Sequence, residues 1–360
     1  MDMITIVFDA LESASFLYNG DEEEKIMTRV KVGILGAGGI AKVHTSILKK
    51  DERVQIIGVA DIVEERAAAL AKEAGEAKAV KSLEELFDLG VDAVYVTTPN
   101  TMHVEPVLKC LENNVHVFSE KPMATSLEGA EQIRQAAERS KAIYNLGMNR
   151  RYASVYKRVK QLIDSGEVTP YLAHVKMNRG ELLNPPWTAN PKVTGGFLYE
   201  TPFHLMDLCR YLFGEVQTVY CEAKQNISTE ELDTFAIMMT FVSGTIVNFV
   251  TYAHAGWSFP FESLEVYGKY STVATQELEK VMYAPGLQQA AHIHDFYQLS
   301  IEEKWGYKEE DRLFIDAIVH GTKPPVTAED GFRSIQLLEA IYESAKTGKI
   351  IDFRRTAPSK

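Results

Sequence analysis

The chain has 360 residues, a formal net charge of −12 and a globular composition with 46% hydrophobic residues. This length favours two domains, and the acidic charge argues against nonspecific binding to nucleic acid. No run approaches about 18 uninterrupted apolar residues, so we expect no membrane span. The three cysteines are widely separated and form no CxxC or Cys/His cluster. They predict neither a disulfide framework nor a metal site, and they favour a cytoplasmic protein.

Residues 1–29 precede the first predicted strand, and we expect them to lie outside the fold. They lack the positively charged start of a signal peptide, and Asp21-Glu22-Glu23-Glu24 is an acidic run typical of solvated chain. Met27 stands just before the first strand and would be a natural start. The segment is therefore either a disordered extension or an over-long start assignment.

An apolar run from Val30 to Leu35 predicts a buried strand, after which glycines interrupt the chain and a helical pattern follows. Gly36-x-Gly38-x-x-Ala41 is the spacing of a strand–turn–helix unit that receives a dinucleotide pyrophosphate. The first glycine permits the tight turn, and the second lets the backbone approach the phosphates. Amides at the helix start face the anion. The predicted cofactor-binding residues of this loop are Gly36, Gly38, Gly39, Ile40 and Ala41.

Asp61 ends the second predicted strand, Val54 to Ala60, and follows Gly36 by 25 residues. A carboxylate there can accept hydrogen bonds from both ribose hydroxyls of NAD, and it would repel the 2′-phosphate of NADP. The sequence therefore predicts NAD as the cofactor, in preference to NADP.

Strands and helices alternate as far as about Gly147, which predicts a doubly wound parallel sheet over residues 30–149. Ser82-Leu83-Glu84-Glu85 and Thr125-Ser126-Leu127-Glu128 have the pattern of capping boxes that open two of its helices. Sequence alone assigns His44, which follows the glycine loop, to helix packing.

Ligands of such sheets bind at the carboxyl ends of the strands. Lys121 stands at one such end and is followed by a rigid proline, so it is placed to exchange a proton or stabilise an alkoxide. His103 should lie in the first turn of a helix near the cofactor cleft, with a structural or cofactor-contact role. The predicted cofactor contacts at these strand ends are Thr98, Pro99, Asn100, His103, Glu120 and Lys121.

From Arg150 the pattern changes to successive strands with a period of two, as in Phe235/Ile237/Met239/Phe241. Ser243-Gly244 is a plausible hairpin turn between two of them. Residues 150–360 are therefore predicted to form a mostly antiparallel sheet with one face covered, serving substrate binding or oligomerisation. Helices over Asp311–Val319 and Asp330–Thr347 are predicted to close the chain.

Gly195-Gly196 leads into a helix that carries His204 and Asp207 on one face. Pro202 fits only a first helical turn, so Thr201 is the predicted N-cap and His204 the third helical residue. The positive end of the helix dipole disfavours an imidazolium there, which leaves a neutral histidine suited to act as a general base. The alternative is a capped helix with a packed histidine.

Together these motifs resemble the glucose–fructose oxidoreductase/inositol dehydrogenase (Gfo/Idh/MocA) family over about residues 30–353. The most specific matches are Glu120-Lys121-Pro122 and Gly195-Gly196 with His204 and Asp207. The other matches are Gly33 to Ala41 with His44, Val59-Ala60-Asp61, Thr98-Pro99-Asn100 with His103, Gly147 to Tyr152, and Glu329-Asp330-Gly331.

The resemblance implies an N-terminal Rossmann domain and a C-terminal α/β domain with a large, mostly antiparallel open sheet, assembled as a homodimer or homotetramer. It implies hydride transfer between nicotinamide and a secondary alcohol of a sugar, an inositol-like polyol or a sugar derivative. Lys121 matches the lysine that contacts the reacting oxygen, and His204 matches the histidine that exchanges its proton. Glu200 and Pro202 stand where the family often has aspartate and glycine, so the catalytic role of Glu200 stays open.

Two alternatives remain: an NAD-assisted glycosidase or nucleotide-sugar oxidoreductase of the same fold, and a catalytically silent NAD-binding regulator. The presence of both Lys121 and His204 argues against the silent regulator. The predicted substrate contacts are Arg151, Tyr152, Trp187 and Asp207. Asn178, Arg179, Glu181 and Asn184 are further candidates for a sugar pocket.

Overall fold

The computed structural model of the chain describes residues 29–178, 186–256 and 260–355. The predicted N-terminal extension lies outside these ranges except for Arg29, and so do Arg179, Glu181 and Asn184 of the predicted sugar pocket. Within the described ranges, no helix combines the length and the apolar character that crossing a bilayer requires.

Six parallel strands form the first sheet, in the order β3-β2-β1-β4-β5-β6. The strands are β1 (Val30–Leu35), β2 (Val54–Ala60), β3 (Lys78–Val80), β4 (Ala93–Val96), β5 (His116–Ser119) and β6 (Tyr144–Leu146). Apolar side chains pack on both of its faces, so the predicted doubly wound sheet is confirmed. The strand order reverses between β1 and β4, where this fold binds its ligands.

Five helices connect these strands: α1 (Gly39–Leu48), α2 (Glu64–Ala74), α3 (Leu83–Asp88), α4 (Val104–Glu112) and α5 (Leu127–Arg139). Ser82 caps α3 as predicted, because its side chain accepts a hydrogen bond from the amide of Glu85. The prediction for α5 was wrong by one residue. Ser126, and not Thr125, accepts from the amide of Gly129, since the helix begins at Leu127.

The second sheet has nine strands in the order β14-β13-β12-β11-β7-β10-β9-β8-β15. They are β7 (Leu172–Asn178), β8 (Val216–Lys224), β9 (Thr234–Phe241), β10 (Ile246–Tyr252), β11 (Glu262–Tyr267), β12 (Thr272–Gln276), β13 (Lys280–Ala284), β14 (His292–Asp295) and β15 (Ile351–Asp352). The β7–β10 pair is parallel, whereas the other pairs that the structure describes are antiparallel. The predicted mostly antiparallel sheet is therefore confirmed.

The remaining helices are α6 (Ser154–Asp164), α7 (Pro191–Thr194), α8 (Thr201–Phe213), α9 (Ile301–Lys304), α10 (Tyr307–His320) and α11 (Ala328–Thr347). Helix α11 packs on β8 of the second sheet and also on α5 and β6 of the cofactor domain. Helix α10 reaches the other side of the first sheet, where it contacts α1 and β1. Its residues Phe314 and Ile315 complete an apolar core that also contains Tyr95 and Phe118. Two helices of the C-terminal half of the chain, α10 and α11, thus pack on the cofactor domain.

Candidate active site

The glycine loop leaves room for an anion at the start of α1. Gly36 has a φ of 93°, and a Cβ there would lie 2.8 Å from the carbonyl oxygen of Thr97, so the position requires glycine. Gly38 precedes the helix without a side-chain cap, and a Cβ on Gly38 or Gly39 would meet nothing within 4 Å. Uncapped amides therefore face open space, which fits a dinucleotide pyrophosphate.

Asp61 is fixed at the edge of this loop. Its Oδ2 accepts a hydrogen bond from the amide of Ala37 at 2.7 Å, and its Oδ1 accepts one from the amide of Val63 at 2.8 Å. Each carboxylate oxygen has a further lone pair. The side chain can therefore support the loop and accept hydrogen bonds from a ribose as well, so the residues present fit NAD.

His103 connects two strand ends. Its buried ring places Nδ1 2.7 Å from the carbonyl oxygen of Pro122 and Nε2 2.8 Å from that of Thr98. Burial lowers the pKa of His103, although both carbonyl oxygens oppose the shift. The histidine therefore ties the end of β4 to the segment that follows Lys121.

A chain of polar contacts joins the cofactor sheet to α8. The Nζ of Lys121 lies 3.2 Å from Oε2 of Glu200, and both side chains are largely buried at 13% and 10% exposure. Oε1 of Glu200 accepts from Nδ2 of Asn100 at 2.6 Å, and that amide also donates to the carbonyl oxygen of Thr194 at 3.0 Å. The structure thus places Glu200 in contact with both Lys121 and Asn100, whereas the sequence left the role of Glu200 open.

Helix α8 starts one residue earlier than predicted. It spans Thr201–Phe213 with Glu200 at the N-cap position, so Thr201 is the first helical residue and the predicted cap was wrong. His204 follows Glu200 by four residues, about one helical turn, and is half-buried. A Cβ on Gly195 would lie 2.7 Å from the Cβ of Thr125, so this glycine lets the chain before α8 pack closely on the cofactor domain.

Arg151 and Asp207, two of the predicted substrate contacts, are buried and paired with each other. Nε and Nη2 of Arg151 lie 2.6 and 2.7 Å from the two carboxylate oxygens of Asp207. Oδ1 of Asp207 also accepts from the hydroxyl of Ser334 at 2.9 Å. The structure therefore places these two side chains in an internal ion pair, whereas Tyr152 is half-buried and Trp187 is 46% exposed.

A buried cluster of acidic side chains surrounds His44 and includes Glu120, the residue before Lys121. His44 contacts Glu120 on one side and Asp311 of α10 on the other, and the buried Glu310 stands beside them. Sequence alone predicts helix packing for His44 and assigns no role to Glu310 or Asp311. No sequence signal could have joined them, because 267 positions separate His44 from Asp311.

Comparisons with known proteins identify the family to which the chain belongs. Residues 30–148 match the Gfo/Idh/MocA model described as an oxidoreductase family with an NAD-binding Rossmann fold, and residues 160–353 match the model of its C-terminal alpha/beta domain. Myo-inositol 2-dehydrogenase of Thermotoga maritima is 25% identical over 323 residues, which cover 88% of this chain and 96% of that protein.

Two further relatives differ in how much of the chain they match. Glucose-6-phosphate 3-dehydrogenase of Bacillus subtilis is 35% identical over 211 residues, covering 56% of this chain and 59% of that protein. The solved structure of a levoglucosan dehydrogenase with NADH and levoglucosan superimposes with a TM-score of 0.82 at 19% identity, covering 90% of this chain and 99% of that one. On the strength of the two family models, the chain belongs to the Gfo/Idh/MocA family of oxidoreductases.

Proposed function

We propose that this oxidoreductase transfers hydride between NAD and a secondary alcohol of a sugar or an inositol-like polyol. The observation that carries the proposal is the contact of Lys121 with Glu200 at 3.2 Å. It sets an ammonium group at the carboxyl edge of the cofactor sheet, beside the helix that carries His204. Asp61 favours NAD over NADP, because its carboxylate would repel a 2′-phosphate.

In the proposed reaction, Lys121 donates a hydrogen bond to the reacting oxygen and stabilises its alkoxide character. Glu200 orients that ammonium group, and Asn100 in turn holds Glu200 from the cofactor domain. His204 takes the proton of the alcohol as general base and returns it in the reverse direction. When bound, NAD supplies the acceptor for the hydride at its nicotinamide ring.

The substrate class follows from the relatives. The proteins named above are dehydrogenases of myo-inositol, glucose 6-phosphate and levoglucosan, all of them polyhydroxylated rings. Trp187 and Tyr152 offer aromatic faces for such a ring, since Trp187 is 46% exposed and Tyr152 is half-buried. We propose one of these rings, oxidised at a secondary hydroxyl, as the substrate.

We further propose that the protein works in the cytoplasm as a homodimer or homotetramer. Its three cysteines are free and buried, which suits a reducing compartment. On the uncovered face of the second sheet, Tyr220, Met238 and Ile246 are 38%, 53% and 43% exposed. Packing this face against a second copy would remove those apolar side chains from water.

The test starts from a screen of inositols, aldoses, sugar acids and anhydrosugars with NAD and NADP, read from the absorbance of the reduced nicotinamide. Lys121→Met and His204→Ala are then compared on the best substrate with Lys109→Met and His320→Ala. The side chain of Lys109 is 41% exposed and pairs with Glu84 at the surface, and His320 is exposed. We expect kcat to fall by about 100-fold or more in the first pair and to stay near wild type in the second. In the first pair the affinity for NADH should fall far less than kcat, and in the second pair it should stay near that of wild type. Near-normal turnover in both site variants would contradict the assignment.

A further inference from the structure

His44 sits at the centre of a continuous set of contacts from helix α10 to the backbone of Lys121. Its Nδ1 lies 2.8 and 3.0 Å from the two carboxylate oxygens of Asp311, and its Nε2 lies 3.0 Å from Oε1 of Glu120. The other oxygen of Glu120 accepts a hydrogen bond from the amide of Lys121 at 3.1 Å. His44 and Asp311 are 0% and 1% exposed, so water does not compete for these bonds.

Both ring nitrogens of His44 point at carboxylate oxygens, and both can donate only in the imidazolium form. Burial alone lowers the pKa of His44, but the charges and hydrogen bonds of Asp311 and Glu120 outweigh burial and raise it well above its ordinary value. Burial raises the pKa of Glu310 well above its ordinary value, and the charge of Glu120 adds to the shift. Burial also raises the pKa of Asp311, and the charge of His44 opposes that shift. The contacts of both ring nitrogens with carboxylate oxygens, together with the raised pKa of His44, favour a proton on each nitrogen.

The other groups around the imidazolium are aromatic. The ring centroids of Phe118 and Tyr95 lie 5.0 and 5.3 Å from that of His44, and the ring of Tyr307 lies 6.0 Å away. The positive charge of Lys121 acts on Glu120 and helps to lower its pKa. These rings fill the space around His44, so the imidazolium and its two carboxylate partners have little freedom to rearrange.

A buried ion pair is a poor source of net stability, because desolvation cancels most of the attraction. It does select one arrangement of its groups, because any arrangement that separates the partners leaves a buried carboxylate without its counter-charge, and that state costs free energy. Glu120 is the residue whose geometry is defined here, and it precedes Lys121 directly. An error of about 1 Å in the position of a reacting group can cost about 100-fold in rate.

We propose that His44 and Asp311 are positioning residues, which hold Glu120 and thereby fix Lys121 so that its ammonium group meets Glu200 and the reacting oxygen. The inference rests on the role proposed above for Lys121. It assigns a function to α10, a helix of the C-terminal half that packs on the cofactor domain. The helix would transmit its position to the active site through one histidine.

The competing interpretation of the cluster is a metal site, since ligand-type atoms of His44, Glu120 and Glu310 lie within 4.8 Å of one another. Asp311 on Nδ1 would then be an outer carboxylate that orients a metal-bound histidine. The two interpretations differ in one observable: a metal requires an unprotonated Nε2, whereas the positioning role requires protons on both nitrogens.

The first measurement needs no substitution and no substrate. Ring-nitrogen NMR of histidine-labelled wild-type protein, with His44→Gln used to assign the signal, should show both nitrogens of His44 protonated throughout the neutral range. An unprotonated ring nitrogen, or a stoichiometric metal found by elemental analysis of the purified protein, would overturn the inference. Because this measurement does not use turnover, it stays decisive even if the substrate screen fails.

The second measurement compares Asp311→Asn with Asp316→Asn. Asp316 lies on the same helix and pairs with Arg53 and Arg312 near the surface, so it is a matched control for the loss of an ion pair. In Asp311→Asn we expect kcat to fall about 10- to 100-fold while the dissociation constant for NADH changes less than about threefold. The amide of Lys121 should also exchange hydrogen for deuterium faster than in wild type. In the control, Asp316→Asn, both kcat and the exchange rate of the Lys121 amide should stay near wild type.

The pH profile separates positioning from a general loss of structure. Without Asp311 the imidazolium keeps one carboxylate partner, so the pKa of His44 falls. Turnover of Asp311→Asn should then decline as pH rises through the neutral range, where wild type keeps its imidazolium. An unchanged profile, or equal losses of kcat and equal exchange rates in the two variants, would overturn the positioning role.

Discussion

The two sheets of the molecule expose different parts of themselves to a ligand or a partner. The parallel sheet is buried on both faces, and its proposed site residues are confined to the ends of four strands, at Gly36, Asp61, Thr98 and Lys121. The nine-stranded sheet alternates buried and exposed side chains along its strands, so one whole face is left for contacts. In the first sheet the backbone topology defines the open edge, whereas in the second the exposed side chains define the chemical character of the open face.

The largest effect should come from Gly36→Ala, which tests the dependence of the first sheet on its backbone. A Cβ there lies 2.8 Å from a backbone oxygen at a φ of 93°, and neither strain can be relieved by moving a side chain. We expect a loss of about 2–3 kcal/mol in the free energy of unfolding together with loss of NADH binding.

Gly38→Ala is the matched control for the backbone effect, because its Cβ would meet nothing within 4 Å. Urea unfolding should leave its stability within about 0.5 kcal/mol of wild type, while NADH titration should show weakened binding. Equal stability of the two variants would mean that the turn tolerates a side chain at Gly36.

The second prediction concerns the uncovered face of the nine-stranded sheet. Ile246 pairs in register with Leu172 on one side and Thr240 on the other, and Ile246 is 43% exposed. Ile246→Glu should dissociate the proposed oligomer, because it would bury a charge in the interface. Val319→Glu changes a side chain of 41% exposure on helix α10 and should leave the assembly intact. Light scattering after gel filtration gives the mass, and a monomeric wild type would refute the proposed assembly.

A smaller effect is expected for Asp61→Asn in the first sheet. The carboxylate accepts hydrogen bonds from the amides of Ala37 and Val63, and an asparagine NH₂ would face one of these donors. We expect the dissociation constant for NAD to rise about tenfold, or about 1.4 kcal/mol, and the preference for NAD over NADP to narrow. Isothermal titration with both cofactors measures this, with the exposed Asp88→Asn as control. If Asp61→Asn keeps the preference of wild type for NAD over NADP, Asp61 does not select the cofactor.

The contrast between the sheets also explains what the sequence could predict. The glycine loop, Asp61 and Lys121 were identifiable because each lies in a short contiguous motif at a strand end. The contact of Lys121 with Glu200 was indicated only by the family resemblance, since the two residues lie 79 positions apart and Pro202 left the local backbone open. Strand β14 was not predicted, because its only apolar residue, Ile293, is 65% exposed and gives no periodic apolar pattern.

The smallest predicted effect concerns Glu231, in the loop between β8 and β9. Its Oε2 accepts a hydrogen bond from the amide of Phe197 at 2.6 Å, and burial raises its pKa from 4.5 to about 7. Between these two values the folded state binds more protons than the unfolded state. The contribution of Glu231 to stability therefore falls as pH rises across this window and is constant above it.

Glu231→Gln keeps an acceptor for the amide of Phe197 and removes the titration. We expect the melting temperature of wild type to decline relative to this variant between about pH 4.5 and 7, by the equivalent of about 1 kcal/mol once partial exposure is considered. Glu230→Gln removes the same formal charge from an exposed neighbour and should run parallel to wild type. If Glu231→Gln also runs parallel to wild type, the carboxylate is solvated. The segment at Gly196 and Phe197 would then be held against the loop between β8 and β9 without a titrating group.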